Sequence, residues 1–116
     1  MDRQEARAAI ARELEAALTS LRIGNEGRAR VCARRAAGIA IDYWLPRHPG
    51  HAWGLDAMSR LRHVQADEQF PHEVRQAALR LTARITERFT SAFSTSPLED
   101  CRVLTDYFLE DRDGPA

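Results

Sequence analysis

The sequence contains no lysine: all 17 basic residues are arginine, and 17 acidic residues balance them to a formal net charge of zero. That balance excludes a global field able to draw the chain on to nucleic acid or an anionic membrane, leaving only local patches. Arginine in place of lysine, with alanine the commonest residue, fits a high-GC bacterial genome as readily as a phosphate-binding role. Cysteine is scarce, with two residues in 116. Cys32 and Cys101 fall on the apolar sides of separate predicted helices, where a reduced thiol packs as a small hydrophobe, so no disulfide framework is expected. No apolar run approaches the ~18–20 residues that cross a bilayer. The opening MDRQEARAAI is charged from Asp2 onward, unlike a secretory signal. Together these absences predict a cytoplasmic protein with no membrane partner. Strand-like alternation, internal repeats and low-complexity tracts are also missing.

What is present points to helices. Hydrophobic residues make up 44% and charged residues 29%, ordinary values for one soluble domain with a true core. The organising stretch is Asn25 to Leu45, NEGRARVCARRAAGIAIDYWL. There Ala29, Cys32, Ala33, Ala36, Ile39, Ala40 and Tyr43 recur at steps of three and four, on one side of a helix. Small side chains on that side allow close approach of neighbouring axes. Ala37, Ile41 and Trp44 form an adjoining apolar strip that a monomer is expected to leave partly wet, so they are candidates for a homodimer interface.

The remaining elements follow in order. Asp2 and Glu5 make a capping-box pattern that starts a first helix running to about Arg22, and Gly24 then Asn25 read as its stop and the next cap. A short third helix is expected from about His51 to Val64, with Leu55, Met58, Leu61 and Trp53 inward. A fourth runs from Pro71 to about Phe89 or Phe93 through Val74, Ala77, Ala78, Leu81, Ile85 and Phe89. Ser96, Pro97 and Glu99 start the last, which carries Leu98, Cys101, Leu104 and Phe108 inward. The expected fold is all-α: an antiparallel up-and-down bundle of four main helices plus one short helix, one domain over 1–116, with a core of about 3–109 and a frayed tail at 110–116.

Chemistry is thinly signalled. Gly24, Asn25 and Gly27 lack the strand before and the Gly-Lys-Ser/Thr after that a phosphate loop needs, so a glycine stop and an asparagine cap are the simpler reading. The helix start can still hold an anion, with Arg28 one turn in. Arg28, Arg30, Arg34 and Arg35 edge the central helix and are expected to pair with Asp42, Asp56, Glu68 or Glu99. His48 lies in the loop PRHPG and His51 beside it, with two residues between them, yet a zinc site needs three or four ligands and His63 and His72 are distant, so neither metal nor cofactor is expected. No G-x-S-x-G element is present. No catalytic residue is nominated.

The leading helix with its Gly-Asn turn, the alanine-dense VCARRAAGIAI, the Pro/Gly loop and His51 before HAWGLDAM resemble the small HEPN domains over roughly Ala6 to Phe108. The resemblance implies a helical bundle that pairs as a homodimer. One branch of that family is a metal-independent ribonuclease with an Arg and a His separated by four to six residues. Here Arg47 and His51 are one residue short, which argues against a nuclease toxin, and RNA is a partner only in that alternative. The other branch is a non-catalytic adaptor that binds a nucleotide or docks on a small nucleotidyltransferase in a toxin–antitoxin-type pair. The residues that reading nominates for a ligand are Asn25, Arg28, Arg47, His48 and His51. A purely structural dimerisation bundle is the third possibility.

Overall fold

A computed structural model describes residues 1–83 and 96–110. Five α-helices form there, α1 (Arg3–Arg22), α2 (Glu26–Trp44), α3 (Ala57–Ala66), α4 (His72–Thr82) and α5 (Pro97–Leu109), and the described residues contain no strand. A 3-10 turn, Leu45–Arg47, extends α2. The α2 helix touches each of the other four, while α1 and α5 flank it and α4 bridges α3 and α5.

The starts of these helices are set by local chemistry. Glu5 N donates to the Asp2 carboxylate at 2.7 Å and Asp2 N donates to the Glu5 carboxylate at 2.9 Å, closing the capping box of α1. At the other end Asn25 N donates to Ser20 O and Gly24 N to Leu21 O, at 2.8 and 3.0 Å. Gly24 sits at φ +79°, where a glycine meets no Cβ penalty. Asn25 closes α1 with its amide and caps α2 with its side chain, which accepts from Arg28 N at 3.0 Å. Ser96 caps α5 by accepting from Glu99 N.

Two expected boundaries move. The third helix begins at Ala57 rather than His51, because Asp56 accepts from Ser59 N at 2.8 Å and from its hydroxyl at 3.1 Å. Gly54 ahead of it turns through φ +77°. That turn sends Leu55 outward, 91% exposed instead of inward, while Trp53 is buried. The fourth helix stops at Thr82, where Ala83 takes extended backbone. The expected core positions Ile85 and Phe89, and the tail after Glu110, lie outside the described residues.

The main core joins Ile10 of α1, Ile41 and Trp44 of α2, Leu61 and Val64 of α3, Leu81 of α4 and Leu104 and Phe108 of α5. A smaller cluster of Ala17, Ala29, Cys32 and Leu98 lies under the α1–α2 turn. The expected dimer strip is a correction: Ala37 and Ile41 are fully buried and Trp44 is 4% exposed within the single chain. Phe70, Phe108, Trp53 and the His48 and His51 rings surround Trp44, at centroid distances of 4.0–5.7 Å. The loop after α2 and the last helix therefore close the strip, leaving none of it for a second copy.

Candidate functional site

The five nominated ligand residues divide between the two ends of α2. At ~1.5 Å per residue its 19 residues span about 28 Å. Asn25 and Arg28 stand at its start and Arg47, His48 and His51 beyond its end, so no single small ligand meets both groups.

At the start of α2, Asn25 and Arg28 border a cavity of about 570 Å³ whose other wall is α1, through Arg12, Glu15, Ala16, Thr19 and Ser20, with Ile23 at the turn. The wall is mostly apolar, and Ile23 is 73% exposed. Ser20 is buried and donates to Ala16 O at 2.9 Å. It is thus satisfied locally, whereas Arg12 and Arg28 reach solvent at the rim. The Asn25 cap takes up the amide of Arg28 and the Asn25 carbonyl that of Ala29. The first amides of α2, at Glu26 and Gly27, have no hydrogen-bond partner among the described residues and carry the partial positive charge of a helix start.

At the far end, the histidines are committed locally. His48 and His51 each bring Nδ1 against a backbone carbonyl, of Trp44 at 3.0 Å and of His48 at 2.6 Å. A carbonyl only accepts, so in both rings Nδ1 carries the proton. His48 stacks on Trp44, and His63, from α3, stacks on Trp53 with planes 3° apart. Gln69 Nε2 lies 3.4 Å from His51 Nε2 and donates to Asp67 at 2.8 Å. That hydrogen bond, with a second from the Gln69 amide, holds the Asp67 carboxyl below its ordinary range. Arg47 donates to Tyr43 O at 2.6 Å and lies 3.9 Å over the Tyr43 ring. These rings serve as packing around two tryptophans. His51 lies in the loop ahead of α3 and does not open that helix. No three histidine, cysteine or acidic side chains converge on a metal-sized site among the described residues.

The arginines of α2 do not meet the acids expected for them. Arg30 donates to Arg80 O and Arg34 to Leu81 O at 2.6 Å, both at the end of α4. Burial lowers the pKa of both guanidiniums; Glu26 and Asp100 offset this for Arg30, while the charge of Arg30 adds to it for Arg34. Asp42 pairs instead with Arg60 at 3.0 Å, and Asp100 with Arg80 at 2.9 Å. Arg28 and Arg35 are exposed.

Asn25 and Arg28, on the α2 side of the cavity, are among the residues nominated from the sequence, whereas Arg12 and Glu15, on the α1 side, are not. The signal was available in the spacing: Arg12, Ala16, Thr19 and Ile23 descend one side of α1 at steps of four, three and four toward Asn25. Comparison with protein-family models, curated proteins and solved structures finds no match to this chain.

Proposed function

We propose that the chain is a non-catalytic binding module of the HEPN-like kind, which takes a nucleotide in the cavity between α1 and α2. The observation that carries this reading is that Arg12, Arg28 and Asn25, the cap of α2, border one apolar-walled space of about 570 Å³. Ligand pockets commonly fall in the range ~300–1,000 Å³, with apolar walls and few polar groups. Phosphate oxygens would take the two guanidiniums and the amides of Glu26 and Gly27, as anions do at helix starts. The base would lie against Ala16 and Ile23, and Glu15 can accept from a ribose hydroxyl. The rest of the likeness belongs to the same proposal: an up-and-down helix order, a cytoplasmic setting and a small nucleotidyltransferase as partner. A homodimer, if formed, uses a face other than Ala37, Ile41 and Trp44.

Titration calorimetry with mono-, di- and triphosphate nucleotides tests it. Binding is expected to strengthen with phosphate number and to weaken about tenfold or more on Arg28→Glu, a loss of ~1.4 kcal/mol, while His51→Ala leaves it unchanged. Absence of heat with every nucleotide overturns the reading, as does sensitivity to His51→Ala alone.

A further inference from the structure

The α4 and α5 helices border a second groove, of about 660 Å³, that the nucleotide reading does not use. Its apolar surface comes from the half-buried Val103 and Tyr107, over the buried Val74, with Pro71 at one end. Three carboxylates, Glu73, Asp106 and Glu110, line it against one guanidinium, Arg102. In a chain whose charges balance overall, this is a local excess of negative charge. Its placement is also unfavourable in the isolated chain. Asp106 and Glu110 are like charges four residues apart, and they stand at the negative end of α5, whose last turn has no basic residue. Among the described residues none of the three carboxylates makes an ion pair.

We propose that this groove docks a basic amphipathic helix of a partner protein. A helix laid along a groove between two helices offers apolar side chains at steps of three and four to Val103 and Tyr107. Flanking lysine or arginine side chains then reach Glu73, Asp106 and Glu110, supplying the cations that α5 lacks. The sign of the rim excludes nucleic acid and anionic lipid as occupants. Charge complementarity of this kind acts mainly on association rate and specificity, so binding is expected to fall as salt rises.

The test uses the full chain, isotope-labelled for NMR, and a synthetic amphipathic helix of leucine and lysine at heptad spacing, with a glutamate-for-lysine counterpart as control. The lysine peptide is expected to shift the amides of Val103, Asp106 and Tyr107, and the glutamate peptide to shift none. Joint Asp106→Arg and Glu110→Arg substitution is expected to weaken binding about tenfold or more. The same substitution is expected to leave the melting temperature little changed, because it complements the negative end of α5 but keeps a like-charge pair four residues apart and adds a second with Arg102. Retained stability with lower affinity separates a docking role from a structural one, and Val103→Glu probes the groove surface independently. Equal binding of the two peptides overturns the proposal. So do shifts confined to the α1–α2 cavity, affinity unaffected by the double reversal, or filling of the groove by a second copy, seen as a mass that grows with concentration.

Discussion

At Gly38 a single hydrogen atom decides how closely α2 and α3 approach. A methyl group there would lie 2.9 Å from the Cβ of Ala57 and 3.5 Å from its Cα, well inside ordinary van der Waals separation. Alanine for glycine inside a helix gains ~1 kcal/mol in propensity. Overpacking costs ~1–3 kcal/mol, and the opposing atoms belong to the start of a helix and have no flexible end to yield. Gly38→Ala is therefore expected to lower the melting temperature, and Ala57→Gly in the same chain to recover much of the loss; additive effects of the two changes in a thermal double-mutant cycle would refute the contact. Cys101 makes a different prediction. Burial pushes its thiol up to about 12 from an ordinary value near 9, so the folded chain holds it protonated, without the thiolate that alkylating reagents attack. Its contribution to stability is complete below about pH 9 and is lost as the pH rises toward 12, since the unfolded thiol ionises first. Iodoacetamide at about pH 8 should leave Cys101 unmodified until denaturant is added; rapid native-state modification, read by mass spectrometry, would contradict this.

Among the elements, α4 depends on its neighbours. Eleven residues is short for a helix that must stand by propensity, for which ~12–15 are marginal. The carbonyls of Arg80 and Leu81 at its end accept from Arg30 and Arg34 of α2, where cationic donors also complement the helix dipole. Replacing Arg30 with methionine, which keeps much of the apolar volume, removes one of two donors to the part-buried Arg80 carbonyl, leaving the amide of Ala83, and should cost ~0.5–1.5 kcal/mol. The burial of Arg30, whose Nε has no hydrogen-bond partner among the described residues, offsets part of that. Hydrogen exchange should quicken first at Arg80 to Ala83; uniform protection across the helix would mean that the cap matters little. This contact shows why part of the fold was readable and part was not. The Asp2–Glu5 box, the Gly24–Asn25 junction and the Ser96 cap each join residues a few positions apart, and their residue types state their partners. Arg30 meets a carbonyl fifty positions away, and nothing in its spacing distinguishes that fate from an ion pair. The start of α3 was misread for a local reason, because Trp53, Leu55 and Met58 imitate helical periodicity until Asp56 and Ser59 are weighed as a cap. For the candidate cavity, Asn25 and Arg28 were readable as a helix start, whereas Arg12 and Glu15 acquire meaning only when α1 folds back on α2.

For the whole molecule, the question is whether the apolar surface of α2 demands a partner. The periodicity of Ala37, Ile41 and Trp44 suggested that it does, since a helix with a small-residue side and a second apolar strip has more to bury than one neighbour can cover. The chain resolves this by bringing α3 and α5 to α2 and folding the loop after Pro46 over Trp44, so that both surfaces are satisfied within one molecule. A core closed in this way is expected to keep stability independent of protein concentration. If the strip were instead shared between two chains, folding would be linked to protomer concentration by mass action. Ile41→Ala discriminates between these, because the side chain is fully buried in the main core. The substitution is expected to cost ~2–5 kcal/mol. The fall in melting temperature should be the same across a hundredfold range of protein concentration, with light scattering giving an unchanged mass. A deficit that deepens on dilution, or a mass that halves in the variant, would show that Ile41 supports a second chain as well as its own.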